Sequence, residues 1–311
     1  MPAQADMEIK LANETFLNYL STPGMEKRAL DSVNDFTRYR MREEGFFRRI
    51  MTMKQIGNDD LDRQYDTDKP VKIIDREPDS PAAISVPFAT LPMSLYIRGQ
   101  RYRVSFDRIV TPRFTKDVDE LRTYYIDIRQ VLSDNSIKDM LAEEDRKFIA
   151  AVNAAMGGAA DTVVEASGLV QWETLYGGIT RETLQDAFKI LPRTISRLEV
   201  ATVLLNNLTI REVMKMGREE MGGDYSQDVF KNGWSEQNFM NARWVITIKQ
   251  ELVPNDSMYF FADEKFIGKS FSLEDTTMYI ERKAYMLEFF AYETLGASIG
   301  NTNSLARADF A

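Results

Sequence analysis

The residues best placed to do chemistry in this chain are carboxylates. Glu219, Glu220 and Asp224 crowd around Met221-Gly222-Gly223, and Asp59, Asp60 and Asp62 lie close together near the start of an acidic stretch. Either group offers the oxygen ligands that a divalent cation takes. The spacing of the first group fits no calcium loop and reads as a solvated acidic helix end. The second reads as a solvated charge run, or as one half of a contact with a basic patch. The glycine pairs Gly157-Gly158 and Gly177-Gly178 belong to no phosphate-binding motif and read as a helix end and a turn.

Neither histidine nor cysteine occurs among the 311 residues. Disulfides, Cys/His zinc sites, Ser-His-Asp triads and histidine general bases are therefore all excluded. Only carboxylates, Lys, Tyr and hydroxyls remain, which weighs against an enzyme. The chain is 44% hydrophobic and 28% charged, an ordinary globular composition. No run of 18 apolar residues suggests a membrane span, and the polar, acidic start does not look like a secretory signal. The net charge of −9 argues against a protein that grips nucleic acid, because phosphate neutralisation supplies most of such affinity. It suits equally an acidic soluble protein and a surface that lies near DNA without adsorbing.

Charge is divided along the chain. Residues 25–54 carry eight Lys/Arg against five Asp/Glu, with Arg38, Arg40, Arg42, Arg48 and Arg49 prominent. Residues 57–80 carry eight Asp/Glu against four Lys/Arg. Two copies could pair these segments across a subunit contact, where complementary charge sets register.

The elements that must position these groups are legible in outline. Residues 1–50 read as helical, with a start at Thr22-Pro23 and a second segment over 31–53. Residues 57–80 read as a projecting hairpin with a strand at Val71–Ile74. Tyr102, Val104 and Phe106 alternate with polar neighbours, which predicts a half-buried strand after a turn at Arg98-Gly99-Gln100. Leu121, Tyr124, Tyr125, Ile128, Val131 and Leu132 trace one helical face. Ser136 with Asp139 resembles a cap opening a second stretch to Gly157, so one kinked helix and two helices both fit. Further on, the pattern predicts a helix over 180–190, a strand over 198–205 and a helix capped by Thr209 with Glu212. The stretch 221–238 reads as an exposed loop.

From Trp244 onward, short apolar runs alternate with turn signals at Pro254-Asn255-Asp256, Gly268 and Gly296 through Gly300. Tyr279, Tyr285, Phe289, Phe290 and Tyr292 sit in this text as core or subunit-interface residues. The segment YFFADEKFIGKS and the closing GASIGNTNSLARADF resemble tailed-bacteriophage major capsid proteins of the Hong Kong 97 fold. The order of the earlier segments is similar along almost the whole chain.

The resemblance implies an α+β subunit in which residues 1–53 are an N-terminal arm and 54–83 an extended loop onto a neighbour. Residues 84–157 and 241–311 then make a peripheral domain with a long spine helix, and 158–240 an axial domain. It implies self-assembly as pentamers and hexamers into an icosahedral shell around double-stranded DNA, in the virion, after synthesis in a bacterial cytoplasm. Arg38, Arg40, Arg42, Arg48, Arg49, Asp59, Asp60, Asp62, Lys69 and Lys72 become candidate subunit contacts, and Lys69 or Lys72 could crosslink. An arm starting near Met1 implies a separate scaffolding protein; portal and decoration proteins are further expected partners. DNA is expected without sequence-specific contact, and neither a cofactor nor a membrane is expected. Two alternatives stay open: an encapsulin-like shell around protein cargo, and a metal-dependent enzyme using Glu219, Glu220 and Asp224.

Overall fold

A computed structural model describes residues 2–21, 45–63, 68–76, 85–88, 90, 91, 94, 99–122, 128–157, 170–216 and 238–311. The Thr22-Pro23 helix start, Arg38, Arg40, Arg42, the three carboxylates at 219–224 and nearly all of the 221–238 stretch lie outside them. The helices are α1 (Pro2–Ser21), α2 (Phe46–Ile50), α3 (Val118–Arg122), α4 (Ile128–Met156), α5 (Arg181–Arg193), α6 (Thr209–Met214) and α7 (Glu264–Ile267).

Six strands form one mixed sheet in the order β6 (Trp172–Leu175), β13 (Leu305–Phe310), β10 (Ser257–Phe261), β7 (Thr202–Asn206), β9 (Ala242–Thr247), β8 (Asn238–Phe239). Its central strands are buried on both faces, so they read as continuous apolar runs. Along β10, Met258 and Phe260 point into one cluster with α5 and α6, while Tyr259 and Phe261 point into another with α2 and α4. The period-2 alternation thus divides one strand between two cores.

A second sheet is built on the long hairpin of β11 (Gly268–Lys283) and β12 (Met286–Ile299). β1 (Met53–Gln55) pairs parallel with β11; β4 (Asp107–Val110) and β5 (Phe114–Asp117) pair with β12. Phe16 and Leu17 of α1 cover Met278, Ile280, Leu287 and Phe289 on one face. The third unit is a two-stranded ribbon of β2 (Val71–Arg76) and β3 (Gln100–Ser105).

α4 ties the sheets together. Met140 and Leu141 pack on Ile109, Ala291 and Leu295 of the hairpin sheet, and Phe148, Ile149 and Val152 pack on the six-stranded sheet. The helix is continuous over 29 residues. Ser136 is therefore buried inside it and opens no second helix. Gly157, at φ +81°, ends it, as a left-handed C-terminal glycine does.

Four other expectations need correction. The second helical segment stops at Ile50, and Met53 already belongs to β1, where hydrogen bonding to β11 outweighs local propensity. β7 starts at Thr202, four residues later than expected, where its register with β9 and β10 begins; Ala201 just before it already bonds Phe261 and Arg243 through its backbone. The cap of α6 is Asn206, whose Oδ1 accepts from the N–H groups of Leu208 (2.9 Å) and Thr209 (2.7 Å). Thr209 instead accepts from the Asp256 N–H through Oγ1 at 3.1 Å. Gly296 interrupts nothing: it lies inside β12, where a Cβ would stand 2.8 Å from the Ser105 carbonyl oxygen. Glycine there lets the ribbon lie across the hairpin.

The sheets also cut across the expected domain boundaries. The six-stranded sheet takes strands from both sides of residue 241, and the ribbon from both sides of residue 83.

Candidate functional site

For a chain that lacks His and Cys, the densest cluster of described ionisable groups is a buried one where α2, α4 and the hairpin meet. Arg48 donates to both oxygens of Glu144, Nη2 to Oε1 at 2.5 Å and Nε to Oε2 at 3.0 Å, and Nη2 reaches Glu293 Oε2 at 2.8 Å. Thr276 donates to the same Glu293 oxygen at 2.9 Å. Beside it, Asp145 accepts from the Phe47 N–H at 3.0 Å and from Lys249 Nζ at 2.6 Å. Lys249 also donates to the Leu141 carbonyl.

The side chains of Glu144 and Glu293 are 0% and 2% exposed. Burial pushes the Glu293 carboxyl well above its ordinary range, the neighbouring Glu144 carboxylate adds to that, and Arg48 only partly opposes it. Burial also raises Asp145, against the pull of Lys249. For Arg48, burial lowers the pKa but the carboxylates outweigh it, so the guanidinium is held charged. Glu293 Oε1 is buried with no hydrogen-bond partner among the described residues.

This arrangement fastens segments far apart in sequence. Its carboxylates are committed to Arg48, Thr276, Lys249 and the Phe47 N–H. Among the described residues there is no group of three or more acidic side chains able to hold a metal ion, and no helix is long and apolar enough to cross a membrane.

The sequence-predicted contact residues fall into separate places. Arg48 is not on a free surface: it is committed to the cluster because only a cation there balances two buried carboxylates. Arg49, next to it, is half-buried, and its carbonyl accepts from Arg243 at 3.3 Å. Asp59 and Asp60 are exposed on a short 3-10 turn. Asp60 Oδ2 accepts from the Gly57 N–H, and its carbonyl accepts from Lys72 Nζ. Asp62 accepts from the Ile73 N–H at 2.7 Å, which ties the turn to β2. Lys69 lies 3.6 Å from Asp107, both exposed. The fold therefore gathers Asp60, Asp62, Lys69 and Lys72 at the base of the ribbon.

Glu144, Asp145, Lys249 and Glu293 were missed from sequence. A signal existed for two of them. Glu144 is four residues after Met140 and four before Phe148, and Asp145 has the same relation to Leu141 and Ile149, so both interrupt a buried apolar stripe.

The aromatic residues near the C-terminus divide by face. Phe289 is buried against Phe114, while Tyr279, Phe290 and Tyr292 form a partly exposed ladder on the opposite face. Arg113 and Arg108 lie over the rings of Phe290 and Tyr292.

No protein-family model and no curated protein matches this sequence. Solved structures do. The mature capsid of bacteriophage PhiM1 aligns over 86% of this chain and 87% of its own, with TM-score 0.57 at 10% identity. The capsid of cyanophage P-SCSP1u gives 84%, 86% and 0.57 at 11% identity. A virus-like particle from Pyrococcus furiosus covers 90% of this chain and 99% of its own, with TM-score 0.52 at 8% identity. The helix bridging two sheets, the long hairpin and the ribbon are thus arranged as in phage capsid subunits, and the chain has the Hong Kong 97-like capsid fold.

Proposed function

We propose that this chain is a major capsid protein that assembles as pentamers and hexamers into an icosahedral shell enclosing double-stranded DNA. The observation that carries the reading is the likeness to phage capsid subunits over more than four-fifths of both chains. The net charge of −9 supports contact with packaged DNA without sequence-specific grip. A structural role in the virion follows, with no catalytic activity, and with scaffolding, portal and decoration proteins as partners. Large obligate interfaces, above about 2,000 Å2 each, suit such a shell, and closed rings satisfy head-to-tail contacts without open growth.

The domain division follows the sheets. The hairpin sheet with α1 and the first half of α4 forms the peripheral unit. The six-stranded sheet with α5 and α6 forms the axial unit. The β2–β3 ribbon forms the extended loop. The remaining acidic and basic candidates, Asp59, Asp60, Asp62, Lys69 and Lys72 with Arg49, together with Arg38, Arg40 and Arg42 outside the described residues, are proposed subunit contacts.

Negative-stain electron microscopy beside light scattering tests the reading. Closed shells, or rings of five and six, are expected; a monomer or dimer that persists when a scaffolding protein is supplied overturns it. A protein-filled shell is the second reading, favoured by the match to the Pyrococcus furiosus virus-like particle. Nuclease-protected DNA inside shells supports the first, and co-purified protein cargo the second.

A further inference from the structure

A two-stranded ribbon is at best marginally ordered in water by itself, so what fixes the β2–β3 pair lies at its root. The two faces of the ribbon differ. Ile74, Tyr102 and Val104 pack on one side with Phe106, Phe271 and Leu273, while Ile73, Asp75, Arg101 and Arg103 on the other are exposed.

Two glycines receive the packed face. Gly296, inside β12, lies against Ser105, and Gly300, just past the end of β12, lies against Tyr102. A Cβ at Gly300 would stand 2.8 Å from Cζ and 2.9 Å from Cε1 of the Tyr102 ring, closer than a methyl group tolerates. The backbone of Gly300 does not itself call for glycine, since its φ is not positive. Its N–H donates to the Ile267 carbonyl at 2.9 Å, so the chain there is held and the ring would have to give way. Glycine at this position is explained by the close approach of the ribbon.

We infer that the Tyr102 ring resting on Gly300 sets the angle of the ribbon within the lone subunit, and that assembly uses this preset angle. Two supports on one strand fix its direction. Tyr102 and Ser105 are three residues apart, roughly 10 Å at ~3.4 Å each. Asp75 pairs with Arg101, one residue further out along β3. A push of ~2 Å at the ring therefore carries Asp75 by up to about 3 Å, in proportion to its distance from Ser105 along the strand. A projection already held in its working pose gives up less conformational freedom when subunits associate. The second half of the inference rests on the shell-forming reading; the first half stands on the subunit alone.

The angle can be read directly. The chain has no cysteine, so Asp75→Cys and Tyr285→Cys, both at exposed positions, accept a pair of spin labels without competition. Pulsed electron paramagnetic resonance on labelled protein diluted into excess unlabelled protein then gives their separation. One narrow distance is expected in the otherwise wild-type chain and with Tyr102→Phe, which keeps the ring. Tyr102→Ala should broaden the distribution, and Gly300→Val should move it by up to about 3 Å. Gly300→Ala pushes less in the same direction and takes its place where valine prevents folding. Gly300→Val should also raise the concentration needed for assembly at least ~tenfold, because every contact the ribbon makes is displaced. A wild-type distribution as broad as that of Tyr102→Ala overturns the inference, and so does a Gly300→Val distance equal to the wild type's. A moved ribbon that still assembles at the wild-type concentration overturns the use of the angle in assembly. A wild type that never oligomerises overturns the shell reading, while the distances still decide what sets the angle.

Discussion

The six-stranded sheet and the hairpin sheet meet different demands with the same strand chemistry. In the first, β10 is buried at all five positions and serves two cores at once. In the second, β12 alternates between a covered face and a half-wet one that carries Phe290 and Tyr292. The first is packed mainly by apolar side chains on both faces, with Arg307 donating to the buried Tyr259 hydroxyl at 2.9 Å. The second is joined to α2 and α4 by Arg48 and two buried carboxylates. Apolar packing is non-directional, whereas a bidentate ion pair admits one geometry. The difference teaches where this subunit can tolerate change and where it must hold an angle.

The largest effect should come from breaking the apolar side of that comparison. Phe260→Ala removes a fully buried ring between α5 and the sheet and should cost about 3–5 kcal/mol, read as a fall in the urea midpoint. Arg48→Ala should come next, at about 3 kcal/mol, because it leaves Glu144 and Glu293 buried without their cation. Its deficit should shrink at acid pH as the carboxylates take up protons. A deficit that stays the same on acidification would show that Arg48 acts through packing and not charge.

A smaller effect isolates Glu293. Its carboxyl titrates higher in the folded protein than in the unfolded chain, so folding favours the protonated form. That stability is fully present below the ordinary value of 4.5 and is lost as pH rises through the raised folded value. Glu293→Gln keeps the shape and removes the titration. Its stability curve should therefore be flatter than the wild type's on the alkaline side of 4.5, and an unchanged slope would place the titrating group elsewhere. Least of all should come from Arg101→Ala on the ribbon. Its pair with Asp75 is 2.8 Å long, but the side chains are 73% and 79% exposed, so a change below about 0.5 kcal/mol is expected.

Much of the architecture was legible along the chain. The apolar stripe of α4 from Met140 to Val152, the alternation of Tyr102 and Val104 and the run from Met258 to Phe261 all betray their burial by period. α5 begins after Thr180, whose side chain accepts from the Thr183 N–H, within a residue of where a helix was expected. What misled were local signals with two meanings. Ser136 looks like a cap and is an interior helix residue. Thr209 with Glu212 looks like a capping box, while Asn206 does the capping. Gly296 looks like a turn and is a close approach of two strands.

The sequence by itself determined the periods, the acidic net charge and the exclusion of histidine and cysteine chemistry, because these depend on residue type and spacing alone. It also determined an order of segments that resembles a capsid subunit. Only the tertiary structure decided which strands share a sheet, since β1 finds β11 and β6 finds β13 across more than a hundred residues each. Only it decided that Arg48 faces inward. A charge is placed by its partners, and Glu144 and Glu293 come to Arg48 from 96 and 245 residues away.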